Sequence, residues 1–264
     1  MKSFLFFFLA SILALTLPGL LQAQSATQKG LSIAKAAEQA DEGFGSTSVD
    51  LKMVLRNRNG QVSERLMSNR TLELTEDGDK SLIVFNSPRD VRGTATLTYT
   101  HKSGPDDQWL FLPSISRVKR ISSDNKSGPF MGSEFAYEDL SSQEVEKYTY
   151  KFLRTETYNG VSTEVIERYP VDEKSGYTRQ IVWYNPGQGY RLEKVEFYDR
   201  KNALLKTLTY HDYNQYLGKH WRASKMQMVN HQTGKETELL FENYSFNAGL
   251  SEDDFTQNSL RRAK

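Results

Sequence analysis

From residue 46 onward the chain is written in a period of two. Over residues 49–55 the apolar side chains Val49, Leu51, Met53 and Leu55 fall on alternate positions, and alternate side chains of an extended strand point to opposite faces. Similar segments end at residue 72 and recur at 81–85, 94–99, 109–112, 148–157, 162–169, 178–184, 191–198, 204–213, 221–230 and 236–244. The breaks between them hold residues 57–60, Asp77-Gly78 and Asn159-Gly160, residue types that reverse a chain tightly. Short strands joined this way form an antiparallel meander, and about ten or eleven of them curl into an incomplete barrel. The expected fold class is therefore mainly β (α+β), a strongly curved antiparallel half-barrel with an N-terminal helix and a short helical lid insertion.

The helix is expected over residues 26–42, where an alanine-rich run places Leu31, Ile33, Ala34 and Ala37 on an inner face before Gly43 and Gly45 end it. Ahead of it, Lys2, an apolar block at 4–17, Pro18-Gly19 and Leu21-Gln22-Ala23 make a secretory signal peptide over residues 1–23, cleaved after Ala23. The block falls short of the roughly 20 residues that a membrane-spanning helix needs. Residues 24–264 are then expected to form a single domain. With no cysteine the chain carries neither disulfides nor a cysteine-linked lipid anchor, so a packed core must stabilise it, and a bacterial envelope suits it better than a eukaryotic extracellular space. The 34 Lys and Arg nearly match the 33 Asp and Glu, which argues against nucleic acid as a partner.

Three stretches in the middle carry large apolar residues beside arginines and carboxylates. In the second and third, Trp109, Phe111 and Leu112 precede Pro113, and Phe130, Met131, Phe135 and Tyr137 follow a Ser/Gly/Pro-rich loop. Met131 and Phe135 are four apart, the spacing that one helical turn puts on one face. These seven residues are candidates for a ligand cavity and its lid, against the plainer alternative of strand core and a satellite cluster. Arg92, Arg117 and Arg120 are candidates to anchor the lid through Glu134, Glu138 or Asp139, or to meet an anionic headgroup; for most arginines the plainer reading is a solvated surface. Tyrosines near strand ends, among them Tyr184, Tyr190, Tyr198, Tyr210, Tyr213, Tyr216 and Tyr244, follow from β propensity, and some suit a cavity rim.

No motif for an enzyme, metal or cofactor is found. His101, His211, His220 and His231 lack metal-ligand spacing. Gly187 and Gly189 lack the third glycine of a dinucleotide loop, and no nucleophile elbow occurs. A hydrolase would need a clustered nucleophile and base.

The order of leader, lone helix, long meander, Trp109-Leu110-Phe111-Leu112-Pro113 with Arg117 and Arg120, and Phe130-Met131-Gly132-Ser133 with Tyr137-Glu138-Asp139-Leu140 resembles the LolA-like family of outer-membrane lipoprotein-sorting proteins. The resemblance implies a half-open barrel with an apolar inner face closed by short helices. It also implies periplasmic carriage of a lipid or acylated lipoprotein, with an inner-membrane exporter of the RND/MMPL or ABC type and an outer-membrane acceptor as partners. The alternative is a non-carrier periplasmic adaptor of an RND/MMPL-type exporter.

Overall fold

The computed structural model describes residues 18–262, with side chains from residue 25. The apolar block of the expected signal peptide lies outside the described residues. Helix α1 (Pro18–Asp41) is followed by thirteen strands: β1 (Ser46–Arg56), β2 (Val62–Leu72), β3 (Lys80–Ser87), β4 (Ala95–Tyr99), β5 (Asp107–Leu112), β6 (Arg117–Ile121), β7 (Tyr148–Tyr158), β8 (Val161–Pro170), β9 (Tyr177–Asn185), β10 (Arg191–Asp199), β11 (Leu204–Tyr216), β12 (His220–Asn230) and β13 (Glu236–Phe246). A short helix α2 (Gln257–Arg262) ends the described chain. No helix among the described residues is long and apolar enough to cross a membrane.

All thirteen strands form one curved, unclosed antiparallel sheet in the order β6-β5-β4-β3-β2-β1-β13-β12-β11-β10-β9-β8-β7. Every neighbour is a hairpin partner except β1 and β13, which pair through Leu51 opposite Phe241 and Met53 opposite Leu239. The sheet has more strands than the pattern predicts. The unforeseen β6 is dominated by Arg117, Lys119 and Arg120, so a hydrophobicity period cannot reveal it. Turns do follow the sequence: Asn159 and Gly160 both take positive φ, 49° and 82°, as a two-residue hairpin loop requires.

Two apolar clusters flank the sheet. The inner one joins Val49, Leu51, Met53, Met67, Phe85, Ile166, Val182, Val195, Leu208, Met228 and Leu239 to residues of α1 and of the segment between β6 and β7. The outer one joins Leu82, Val84, Ala95 and Leu97 to Phe255 and Leu260. The C-terminal turn and α2 thus cover the outer face.

Helix α1 meets β7 with Gly30, Ile33, Ala34 and Ala37 inward, spaced i, i+3, i+4, i+7. Leu31, expected on that face, is 36% exposed, and Gly30 takes the contact instead. A β-carbon at Gly30 would lie 2.8 Å from the Phe152 backbone nitrogen and 2.9 Å from Lys151 backbone atoms. The helix therefore rests directly on the strand backbone. This contact yields a test by sign. In an exposed helix interior, Gly→Ala stabilises by roughly 0.5–1 kcal/mol, whereas Gly30→Ala is expected to destabilise by about 1–3 kcal/mol through overpacking. Urea denaturation decides, and a more stable variant would show that the helix does not sit this close.

Candidate functional site

Residues 122–147 connect β6 to β7, the two free edges of the sheet, so the connection crosses the inner face. It is built of short 3-10 turns. Its tip is a tight loop in which the Phe130 N–H donates to the Phe135 carbonyl at 2.6 Å, with Met131 and Gly132 at φ 48° and 77°. Those left-handed residues break the helical turn expected between Met131 and Phe135. Phe130 is 1% and Phe135 4% exposed. The Phe130 ring lies 5.7 Å from Phe85 of β3 and 5.5 Å from Tyr137.

The insertion is firmly fastened rather than loosely laid on the sheet. Lys206 of β11 donates to Asp139 Oδ2 at 2.7 Å and to the Glu134 carbonyl at 2.8 Å. The two ion-paired side chains are only 4% and 6% exposed. The Tyr177 hydroxyl donates to Asp139 Oδ1 at 2.8 Å, and Asn230 Nδ2 to Glu134 Oε2 at 2.6 Å. Arg65 of β2 donates to the Met131 carbonyl. Glu138 accepts from the Ser175 hydroxyl at 2.7 Å and the Gly176 N–H at 2.8 Å, and burial raises its carboxyl above the usual range.

Glu134 and Asp139 thus hold the insertion, but none of the three candidate arginines does. Arg92 donates to the Asn86 carbonyl, Arg120 pairs with Asp107 at the surface, and Arg117 is exposed on β6. Trp109 and Phe111 lie on the outer face, in the cluster under Phe255 and Leu260, with Trp109 edge-on to Tyr99 at 5.0 Å. Leu112 alternates with Phe111 and so shares the inner side of the strand with Leu110. Lys206, Arg65, Asn230 and Tyr177, the actual fasteners, carry no local motif, because each is brought to the insertion by sheet register alone.

Beyond the insertion the inner face opens into a cavity of about 900 Å³ between α1 and the sheet. Ala34 and Ala37 of α1, Val49 of β1 and Met226 of β12 supply apolar lining. Tyr184, Tyr190, Tyr210, Tyr213 and Tyr244 of the tyrosines noted in the sequence also line it. Burial pushes the Tyr184, Tyr210 and Tyr213 phenols up, so they stay neutral donors at physiological pH. None of the candidates Trp109, Phe111, Leu112, Phe130, Met131, Phe135 and Tyr137 lines this space. Asp79 and Glu144 stand at its edge; burial raises them to about 6 and about 7. His101 is taken up by Asp77 at 2.7 Å and Asp107 at 3.4 Å, outside the cavity lining.

Two outcomes follow from these charges. Lys206→Met leaves Asp139 buried without its cation and is expected to cost about 3–5 kcal/mol. Adding Asp139→Asn should restore part of that loss in a double-mutant cycle; a purely additive result would mean that the pair is uncoupled. Asp79 and Glu144 have folded-state values above those of free carboxylates. Their protonated forms favour the fold, so that stabilisation is complete below about pH 4 and is lost as pH rises through about 6 to 7. Urea midpoints of the wild type should fall between about pH 5 and 7.5 more steeply than those of Asp79→Asn with Glu144→Gln; parallel profiles would refute the assignment.

A family model described as "Uncharacterized protein" matches residues 77–262. No curated protein sequence matches this chain. Among solved structures, a putative outer membrane lipoprotein-sorting protein domain from Vibrio parahaemolyticus is 55% identical, over 89% of this chain and 100% of that one, with a TM-score of 0.88. A DUF1329 family protein from Desulfovibrio piger is 27% identical over 89% and 99%, TM-score 0.84. A LolA superfamily protein from Nitrosomonas europaea shares the fold at 22% identity over 89% and 99%, TM-score 0.70. More than half the residues of the Vibrio domain recur here over its whole length, and the chain belongs to the family of that outer-membrane lipoprotein-sorting protein domain.

Proposed function

We propose that this chain is a carrier in the Gram-negative periplasm, reached through a cleaved signal peptide, that shields a lipid or the acyl chains of a lipoprotein on the way from inner to outer membrane. The observation that carries the reading is the cavity of about 900 Å³ on the inner face, near the upper end of the roughly 300–1,000 Å³ of small-molecule sites. A carrier is needed because exposing a methylene to water costs about 0.8 kcal/mol, so that an acyl chain of roughly 16 carbons costs on the order of 12 kcal/mol. Its donor would be an inner-membrane RND/MMPL-type or ABC exporter and its acceptor an outer-membrane protein. The role proposed is binding, supported by a lining that combines apolar side chains with phenols and charged groups.

One observation favours a second reading, a non-carrier adaptor of an RND/MMPL-type exporter. Phe130 and Phe135 fill much of the insertion end of the half-barrel with the chain's own side chains, which leaves the larger opening at the α1 end.

Native mass spectrometry of residues 24–264, isolated from periplasm without detergent, separates the two. A carrier shows a discrete lipid adduct that organic solvent releases. Ala37→Trp, which fills the cavity from α1, should abolish the adduct while the variant stays folded by circular dichroism. A clean unliganded mass, persisting after incubation with envelope lipids, would sink the carrier in favour of the adaptor.

A further inference from the structure

The inner face carries a second buried cation, and it has no counter-ion. Arg168 of β8 is 5% exposed. Its Nε donates to Gln180 Oε1 at 2.7 Å, its guanidinium lies 4.5 Å from the Tyr148 ring centre, and it hydrogen-bonds Tyr184. All three partners are neutral. Among the described residues Arg168 forms no ion pair, in contrast to Lys206, which has Asp139.

A guanidinium stays charged at any pH that the protein meets, and it has five donors in a planar fork. Burying it without an opposite charge is costly. Two acids that act on its tyrosine neighbours have other partners: Asp139 accepts from Lys206, Tyr177 and the Ala136 N–H, and Glu38 of α1 from the Val145 N–H at 3.2 Å. Arg168 also lines the cavity, together with Tyr150, Tyr184 and Tyr210. Tyr150 is occupied with the Val145 carbonyl at 2.9 Å. The same lining holds apolar Ala34, Ala37 and Met226 and the carboxylates Glu38, Asp79 and Glu144, but at Arg168 itself an unpaired guanidinium among phenols is complementary to an acidic group.

We infer that the cavity takes an anionic amphiphile head-inward, with its carboxylate or phosphate against Arg168 and the Tyr184 and Tyr210 phenols, and its hydrocarbon chain running toward α1 past Ala34, Ala37 and Met226. This inference rests on the carrier reading and narrows it to cargo with an acidic headgroup. Two oxygens of such a group match the fork of the guanidinium, and Arg168 is buried, so the attraction is stronger than at a surface.

The test compares three probes of one chain length, palmitate, hexadecyl phosphate and hexadecanol, by displacement of a fluorescent fatty alcohol from the mature protein, with native mass spectrometry as a check on stoichiometry. The wild type should bind at least one of the two anions about tenfold or more tighter than the alcohol, as charge-assisted hydrogen bonds require; the anion that wins assigns carboxylate or phosphate. Arg168→Gln should erase that preference while keeping the affinity for hexadecanol. Arg168→Lys, which retains charge without the fork, should keep part of it. Equal wild-type affinity for all three probes overturns the inference and leaves the carrier intact, as does an anion preference that survives Arg168→Gln. Failure of every probe to bind overturns both. Should Arg168→Gln not fold, the wild-type ranking together with Arg168→Lys still decides.

Discussion

The pairing of the first strand with the last is the constraint on which the rest of the molecule depends. Because β1 lies beside β13, the two halves of the meander run outward from the middle of the sheet, and the free edges are β6 and β7, consecutive in sequence. The chain between them has to travel from one side of a curved sheet to the other. Residues 122–147 do this across the inner face, which is why a loop in the middle of the sequence becomes the filling of one end of the half-barrel. The same geometry leaves the other end to α1, whose small side chains Ala34 and Ala37 keep a space open.

Electrostatics divides the inner face in the same way. At the filled end a lysine and an aspartate neutralise each other out of water, an arrangement that fixes one seating of the insertion, since any shift would leave two charges stranded. At the open end a guanidinium is held by neutral groups only. The difference between the two ends is that one buried cation has its anion within the protein and the other does not. A carrier needs a structure that is complete without cargo and yet binds it, and separating the satisfied charge from the unsatisfied one meets both demands.

Much of this architecture is legible in the sequence. Alternating Val49, Leu51, Met53 and Leu55 give β1 and its inner face, Asn159-Gly160 gives a hairpin turn, and the loop chemistry before Phe130 marks the insertion. The site is less legible, for physical reasons. Trp109 and Phe111 read equally well as inner or outer residues, because β5 is apolar on both faces and period alone does not say which one a C-terminal helix will cover. Arg92, Arg117 and Arg120 stand near the insertion in sequence, but Lys206 and Arg65 stand near it in space. Buried charges are placed by cross-strand register, a long-range property that no local spacing encodes. The tyrosines were the accessible signal for the cavity, diluted by their ordinary preference for strands.

The close seat of α1 on β7 has a consequence for the life of the protein in a crowded envelope. An open sheet offers unpaired backbone groups at each border, and such borders recruit strands from other chains. Here the β7 border has a helix pressed to its backbone at Gly30, with Lys29 set over the Phe152 ring. The β6 border instead presents Arg117 and Lys119, whose like charge discourages a second copy. A half-barrel that never closes is thereby kept from growing into a larger one, by steric cover on one side and by like charge on the other.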